Sequence, residues 1–85
     1  MDLTLYTRAG CHLCEEMKAA LAPLLRDFEL ELREVDVESD AGLLARFGEE
    51  VPVLFLGERK VAKYHLDAAQ LRRALRDLLR PQSPA

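Results

Sequence analysis

The spacing of apolar positions predicts four strands and three helices along this chain. The first apolar run predicts a largely buried strand over residues 2–7. Apolar residues then recur at helical spacing, which predicts a helix that begins at Cys11, as its first residue or its cap, and ends by Asp27. Pro23 lies inside this helix. Because proline lacks a backbone N–H, we expect a kink or a local break near residues 19–22.

The middle of the chain predicts a strand followed by a short helix. Residues 28–37 alternate apolar and charged side chains, which is typical of a half-buried strand with one wet face. Ser39 is expected to cap the short helix, and Gly48 is expected to end it in a left-handed conformation. The apolar residues of this helix are Leu43, Leu44 and Phe47.

The last third of the chain predicts a hairpin and an amphipathic helix. A buried strand is expected over residues 52–56, and the turn at residues 57–59 leads into a short strand that ends near Ala62. Asp67, with Gln70 three residues later, has the pattern of a capping box that opens the last helix. The apolar face of that helix comprises Ala68, Leu71, Leu75, Leu78 and Leu79.

The order of these elements indicates a single α/β domain. A chain of 85 residues has room for one hydrophobic core, and we assign residues 1–80 to the domain and residues 81–85 to a flexible tail. The first half has the strand–helix–strand order that implies parallel pairing and a right-handed crossover. The second half ends in a hairpin and a helix.

Composition and charge narrow the class of protein. Hydrophobic residues make up 49% of the chain, yet no apolar segment approaches the ~20 residues of a membrane span, and no signal peptide is visible. The net charge of −3 is uneven, since residues 1–58 hold 5 Lys/Arg against 13 Asp/Glu and residues 59–85 hold 7 against 2. No aromatic residues are interleaved among Arg72, Arg73, Arg76 and Arg80 in the basic part. We therefore expect a cytoplasmic monomer that binds neither nucleic acid nor membrane.

Both cysteines lie where the first strand leads into the first helix. A cysteine at a helix start faces unpaired N–H groups and the positive end of the helix dipole, which can bring a cysteine pKa from ~8.5 to between ~3.5 and ~7.5. Cys14 lies three residues after Cys11, at a Cβ separation of about 5–6 Å, so a small adjustment closes a disulfide. Arg8 and His12 are candidates for positive charges that favour the thiolate. The pattern predicts a thiol–disulfide exchange site.

Other interpretations of the cysteine pair stay open. Both thiols could be unreactive core residues, although a cysteine that follows the turn at Gly10 is rarely buried. A structural zinc site requires four ligands, and only His12 and His65 remain to complete one. An iron–sulfur cluster would need thiols from outside the chain. The alternative to an enzyme is therefore a module that binds a metal, a cluster or a protein partner through its cysteines without turnover.

The chain resembles the glutaredoxins, a branch of the thioredoxin fold in which a strand ending in Tyr-Ser/Thr runs into Cys-x-x-Cys. The matching segments are Leu5-Tyr6-Thr7-Arg8-Ala9-Gly10-Cys11-His12-Leu13-Cys14 and Glu49-Glu50-Val51-Pro52-Val53, of which the second resembles the Thr-Val-Pro loop of the family. The likeness extends through Leu79. It implies a thioredoxin-like β-α-β-α-β-β-α fold with a central four-stranded mixed sheet flanked by helices.

The resemblance also implies a reaction and a binding site. Cys11 would attack a substrate disulfide, and Cys14 would resolve the mixed disulfide. Pro52 would be cis and would face the cysteine pair, which leaves the backbone of Val51 free to pair with an extended substrate. Arg8 stands where glutaredoxins usually carry a lysine. The implied partners are a disulfide-containing protein or a small thiol substrate, with glutathione or a dithiol reductase as electron donor. We expect no bound cofactor and no metal.

Two departures from the family pattern affect the expected use of glutathione. The dipeptide between the cysteines is His12-Leu13, whereas many glutaredoxins have Pro-Tyr. Glutaredoxins approach glutathione through a Gly-Gly pair after the last strand, and Ala62-Lys63 stands in that place here. Because two side chains are expected to project where the ligand would lie, glutathione is expected to be a weak co-substrate.

Overall fold

The structure is a computed structural model, and it describes residues 2–79. The elements, in chain order, are β1 (Leu3–Thr7), α1 (His12–Asp27), β2 (Leu32–Asp36), a 3₁₀ turn (Val37–Ser39), α2 (Ala41–Phe47), β3 (Val53–Leu56), β4 (Arg59–Lys63) and α3 (Ala68–Leu79). Their number and order confirm the prediction. The expected tail at 81–85 lies outside the described residues.

The four strands form one mixed sheet in the order β2-β1-β3-β4. β1 pairs with β2 in parallel, as the strand–helix–strand order predicted, whereas β3 is antiparallel to both β1 and β4. Tyr6 of β1 lies opposite Val53 of β3. The carboxyl end of β1 therefore meets the amino end of β3 at one edge of the sheet.

Side chains of the central strands alternate between two hydrophobic clusters, one on each face of the sheet. The larger cluster joins β1 and β3 to α1 and α3 and comprises Leu3, Leu5, Met17, Leu21, Leu24, Leu54, Leu56, Leu71 and Leu75. The smaller cluster lies on the face that α2 covers, and Tyr6 and Phe55 pack there against Val37, Phe47 and Val53. The two-residue period of a strand explains why neighbours in sequence enter different clusters.

The expected break in α1 is wrong, because the helix runs without interruption through Pro23. An interior proline costs about 3 kcal/mol, since one hydrogen bond is lost and the ring crowds the preceding turn. Leu21 and Leu24 are 0% and 1% exposed, and each buried leucine stabilises the fold by roughly 1.5–3 kcal/mol. Burial on both sides of the proline therefore offsets its cost.

The predicted strand over residues 28–37 is also too long, because β2 begins at Leu32. The N–H of Phe28 donates to Leu24 O at 3.0 Å, and that of Leu30 donates to Leu25 O at 2.9 Å, so the first part of this run closes the end of α1. Glu29 between them has a φ of +53°. The alternation arises because Phe28, Leu30 and Leu32 pack against the larger cluster. The end of a helix can bury side chains in this pattern as well as a strand can.

The ends of α2 differ from the prediction at both residues proposed for them. Asp40, and not Ser39, caps the helix, and its carboxylate accepts from the N–H groups of Gly42 at 2.7 Å and Leu43 at 3.2 Å. Gly48 is right-handed, with φ −54°, and not left-handed. A Cβ at Gly48 would lie 2.5 Å from the carbonyl oxygen of Leu44. Glycine is needed here for close packing of the backbone.

The last helix begins where predicted, but it buries fewer of its apolar side chains than predicted. Asp67 accepts the N–H of Gln70 at 3.0 Å, as the capping pattern indicated. Leu71 and Leu75 are buried, whereas Leu78 and Leu79 are 49% and 40% exposed, so the apolar face ends one turn early. None of the helices within residues 2–79 has the length and apolar content that crossing a membrane requires.

Candidate active site

The two cysteines are disulfide-bonded at the amino end of α1, with their Cα atoms 5.2 Å apart. Cys11 is the N-cap of the helix, with φ −86° and ψ 108°. This is one of the two positions predicted for it, the other being the first residue of the helix. Cys11 is half-buried, whereas Cys14 is 1% exposed and packs inside the protein. The two cysteines therefore differ in exposure, since Cys14 is closed off from solvent and Cys11 is only half-buried.

Backbone contacts fix the position of Cys11. Gly10 has a φ of +74°, and a Cβ there would meet nothing within 4 Å, so glycine serves the turn through its left-handed conformation. The N–H of Cys11 donates to Arg8 O at 3.3 Å. The N–H of Cys14 donates to the Cys11 sulfur at 3.1 Å. A donor aimed at this sulfur from a helix amino terminus stabilises negative charge on it.

Arg8 and His12 flank this turn but have different surroundings. The Arg8 guanidinium donates through Nη1 to the carbonyl oxygen of Gly48 at 3.2 Å and through Nε to Glu38 Oε1 at 3.4 Å. The His12 side chain is 89% exposed, and its Nε2 lies 3.6 Å from Glu16 Oε1, one helical turn later. Arg8 therefore joins three segments of the chain, whereas His12 is a solvated residue of the first turn.

The loop before β3 contains the expected cis bond, between Val51 and Pro52. Pro52 is buried, and it lies at the edge of the sheet from which β1 leads to Cys11. The expectation that the backbone of Val51 is free is wrong for its N–H, which donates to Phe47 O at 3.1 Å. That bond extends the turn that ends α2. The carbonyl group is the part of Val51 that fits the expected role.

Contacts between this loop and the end of β4 were not predicted. The Tyr64 hydroxyl donates to Glu49 O at 3.2 Å, and its backbone N–H donates to Pro52 O at 2.9 Å. Tyr64 has a φ of +66°, an uncommon conformation for a residue with a bulky side chain. Nothing in the local pattern indicates these contacts, since they join residues 12 or more apart and three of the four atoms belong to the backbone.

An ion pair ties the same loop to Lys63. The Lys63 ammonium donates to Glu50 Oε1 at 3.1 Å, and Lys60 lies 3.9 Å from the same oxygen. The hydrogen bond from Lys63, with the charge of Lys60, holds the pKa of Glu50 below its usual range. The bond to Glu50 raises the pKa of Lys63. The Lys63 charge is therefore already engaged within the protein.

The Ala62-Lys63 dipeptide differs from the expectation in one respect. Ala62 is half-buried and packs against the larger cluster, so its methyl group does not project outward as predicted. Lys63 is exposed and does project, toward Glu50. Within residues 2–79, no group of three or more His, Cys, Asp or Glu side chains is arranged to hold a metal ion.

Comparisons with known proteins identify the class of this fold. Oxidized thioredoxin O2 from Arabidopsis thaliana superposes with a TM-score of 0.60, at 24% identity, over 91% of this chain and 73% of that chain. The fold is therefore thioredoxin-like. The solution NMR structure of a protein from Nitrosomonas europaea matches with a TM-score of 0.73 and 35% identity, over 86% of this chain and 88% of that one.

The family follows from the sequence matches. Residues 2–76 match the profile described as Glutaredoxin-like domain (DUF836). An uncharacterized protein of Mycobacterium bovis is 34% identical over 76 residues, which span 84% of this chain and 78% of that relative. The chain belongs to this glutaredoxin-like family, as the cysteine and proline motifs predicted.

Proposed function

We propose that this protein is a thiol–disulfide oxidoreductase in which Cys11 attacks and Cys14 resolves. The observation that carries the proposal is the asymmetry of the pair: Cys11 is a half-buried residue at a helix cap, and its sulfur accepts the Cys14 N–H at 3.1 Å. The Cys14 sulfur is buried and already within bonding distance of Cys11. One thiol is thus suited to meet a substrate, and the other to act after it.

The reaction requires two exchanges. The Cys11 thiolate attacks one sulfur of a substrate disulfide, so that a Cys11–substrate bond forms, the substrate S–S bond breaks, and the departing thiolate takes up a proton. Cys14 then loses its proton and attacks the Cys11 sulfur, which releases the second substrate thiol and leaves the Cys11–Cys14 disulfide. The substrate gains two electrons from the cysteine pair and two protons, of which Cys14 releases one and solvent supplies the other, because Cys11 had already lost its proton as the thiolate formed.

A disulfide-containing protein is the substrate that the surroundings of the pair favour. The Val51 carbonyl lies at the same edge of the sheet as the cysteines, and it can accept a hydrogen bond from an extended substrate backbone. Glutathione finds less to bind, because the Lys63 ammonium that would attract its carboxylates is engaged by Glu50. A dithiol is therefore the preferred donor, and glutathione a weak one. We place this activity in a monomer in the reducing cytoplasm, where close cysteine pairs are commonly catalytic.

Reduction of insulin by dithiothreitol tests the proposal. We expect the protein to accelerate the reaction, Cys11→Ser to abolish the acceleration, and Cys14→Ser to accumulate a mixed disulfide with an insulin chain that mass spectrometry detects. Acceleration that survives in Cys11→Ser would refute the assignment. Absence of acceleration, together with a metal or cluster bound in native mass spectrometry, would favour the binding module instead.

The donor is tested separately in an assay that couples glutathione oxidation to glutathione reductase. We expect slow turnover of hydroxyethyl disulfide in the unmodified protein. Glu50→Gln removes the carboxylate that engages Lys63, and we expect it to raise glutathione turnover. Fast turnover in the unmodified protein, with no increase in the variant, would contradict the preference for a dithiol donor.

A further inference from the structure

Arg8 is placed so that it touches both sides of the candidate substrate site. Its carbonyl oxygen accepts the N–H of Cys11 at 3.3 Å, and its guanidinium donates to the carbonyl of Gly48 at 3.2 Å. Gly48 directly precedes the loop that carries Val51 and the cis proline. A single residue thus links the turn that holds the attacking sulfur to the loop on the other side of the site.

The end of α2 explains why a cation lies here. The last carbonyl groups of a helix lack partners within the helix and carry partial negative charge. Gly48 is the C-cap of α2, and the Arg8 Nη1 supplies a donor to its carbonyl. The second contact, from Nε to Glu38, joins groups that are 44% and 45% exposed and so contributes little to stability. The bond to Gly48 is the one that matters for position.

The same contacts reduce the electrostatic influence of Arg8 on Cys11. The guanidinium has a carboxylate, Glu38, on one nitrogen and a helix-terminal carbonyl on another. Both carry negative charge that offsets the positive charge of Arg8 as seen from Cys11. The sulfur has its own donor, the N–H of Cys14. Stabilisation of a thiolate therefore does not require the charge of Arg8.

We propose that Arg8 is a positioning residue, which holds the loop at residues 48–52 in register with Cys11 for substrate binding, and that it does not act as the charge that activates the thiol. The role depends on the planar fork of arginine, whose Nη1 donates to the carbonyl of Gly48. Lysine keeps the charge but carries it on a compact ammonium at the end of a flexible stem, so it does not hold Gly48 in that geometry. This inference rests on the proposed reductase activity for its kinetic test, but not for its structural one.

Three variants separate the two roles. Arg8→Lys keeps the charge and loses the fork, Arg8→Gln loses both, and Glu38→Gln removes the exposed ion pair while keeping the bond to Gly48. For insulin reduction we expect KM to rise about fivefold in Arg8→Lys and Arg8→Gln, which corresponds to one net hydrogen bond of ~1 kcal/mol, and to stay near the unmodified value in Glu38→Gln. We expect kcat and the pH dependence of Cys11 alkylation to be unchanged in Arg8→Lys.

Amide hydrogen exchange supplies a readout that needs no catalysis. We expect the N–H groups of Glu50 and Val51, which donate to Phe47 O, to exchange several-fold faster in both Arg8 variants, because the loop loses its tie to the cysteine turn. An Arg8→Lys variant with normal KM and normal exchange would overturn the proposal. The proposal would also be overturned if the pH profile of Cys11 alkylation shifted to higher pH in Arg8→Gln and returned to normal in Arg8→Lys. That pattern would show that the charge of Arg8 stabilises the thiolate. Loss of insulin reduction in every protein, with faster exchange, would refute the enzyme and leave the positioning role intact.

Discussion

The backbone N–H of Cys14 donates to the Cys11 sulfur, and a substitution at position 14 can remove this donor while Cys11 stays in place. The effect of the hydrogen bond on the Cys11 thiolate can therefore be measured. Cys14→Ala keeps this donor, and Cys14→Pro deletes it. Position 14 lies in the first turn of α1, where proline is tolerated because the backbone N–H has no partner within the helix. Both variants leave Cys11 as the single cysteine, so its alkylation can be followed directly.

The expected difference follows from one hydrogen bond to a charged group, which is worth about 1.5–3 kcal/mol. Because ~1.4 kcal/mol is a tenfold change in an equilibrium, the thiolate population of Cys11 should be about 10- to 150-fold lower in Cys14→Pro than in Cys14→Ala. At a pH below the pKa of the Cys11 thiol in both variants, Cys14→Pro should react with iodoacetamide more slowly than Cys14→Ala by the same factor. The reason is that the thiolate is the reacting species.

Stopped-time alkylation at mildly acidic pH, quantified by intact mass, gives the two rates. Circular dichroism and a urea unfolding curve serve as controls that α1 persists in Cys14→Pro. Equal alkylation rates in two folded variants would refute the argument that this N–H activates Cys11. In the unmodified, reduced protein the same assay should label Cys11 well before Cys14, and preferential labelling of Cys14 would reverse the assignment of nucleophile and resolving thiol.

Three further predictions concern the fold around the site. Asp40→Ala should destabilise the protein by about 0.5–2 kcal/mol in urea unfolding through loss of the α2 cap, and Ser39→Ala by clearly less; the reverse order would restore the cap predicted from sequence. Gly48→Ala should destabilise by about 1–3 kcal/mol because its Cβ has no room, and a stabilised variant would contradict the close packing. The Glu50–Lys63 ion pair should be fully formed above the ordinary glutamate pKa of 4.5 and should be lost as pH falls through the lowered pKa of Glu50. A midpoint at or above 4.5 in an NMR titration of the Glu50 carboxyl would disprove this prediction.

Much of this fold follows from the sequence because strong local signals agree with tertiary burial. The run from Leu3 to Tyr6 has the period of a strand, and the pattern Asp67 with Gln70 describes the first turn of α3 in the structure. The position of Cys11 as a helix cap follows from the turn at Gly10. In each case the residues that define the element are neighbours in sequence.

The errors occurred where two structures satisfy the same pattern. The alternation after Phe28 fits a strand, but the end of α1 buries the same apolar side chains without one. Ser39 and Asp40 are both acceptable caps, and the 3₁₀ turn at Val37–Ser39 decides between them by shifting the start of α2 by one residue. Local propensity does not separate these alternatives, because tertiary packing chooses.

Contacts within the site were harder to predict than its cysteines. Arg8 meets Gly48 across 40 residues of sequence, and Tyr64 meets the backbone of Glu49 across 15. Backbone carbonyls carry no sequence signal of their own. A motif therefore located the cysteine pair, while the network that holds the neighbouring loop depends on contacts between residues distant in sequence.

The burial of Cys14 bears on how the protein withstands peroxide. Cys14 is 1% exposed, so the protein shields it from an oxidant in solution. Such an oxidant would react at Cys11 instead. A sulfenic acid formed on Cys11 then lies within bonding distance of an unoxidised thiol, and condensation of the two expels water and returns the pair to its disulfide. We expect intact mass after peroxide treatment to show the disulfide in the unmodified protein and irreversible sulfinic acid in Cys14→Ala; sulfinic acid in both would show that the buried thiol gives no protection. The inner cysteine would thus keep the outer one repairable, whatever substrate the outer one meets.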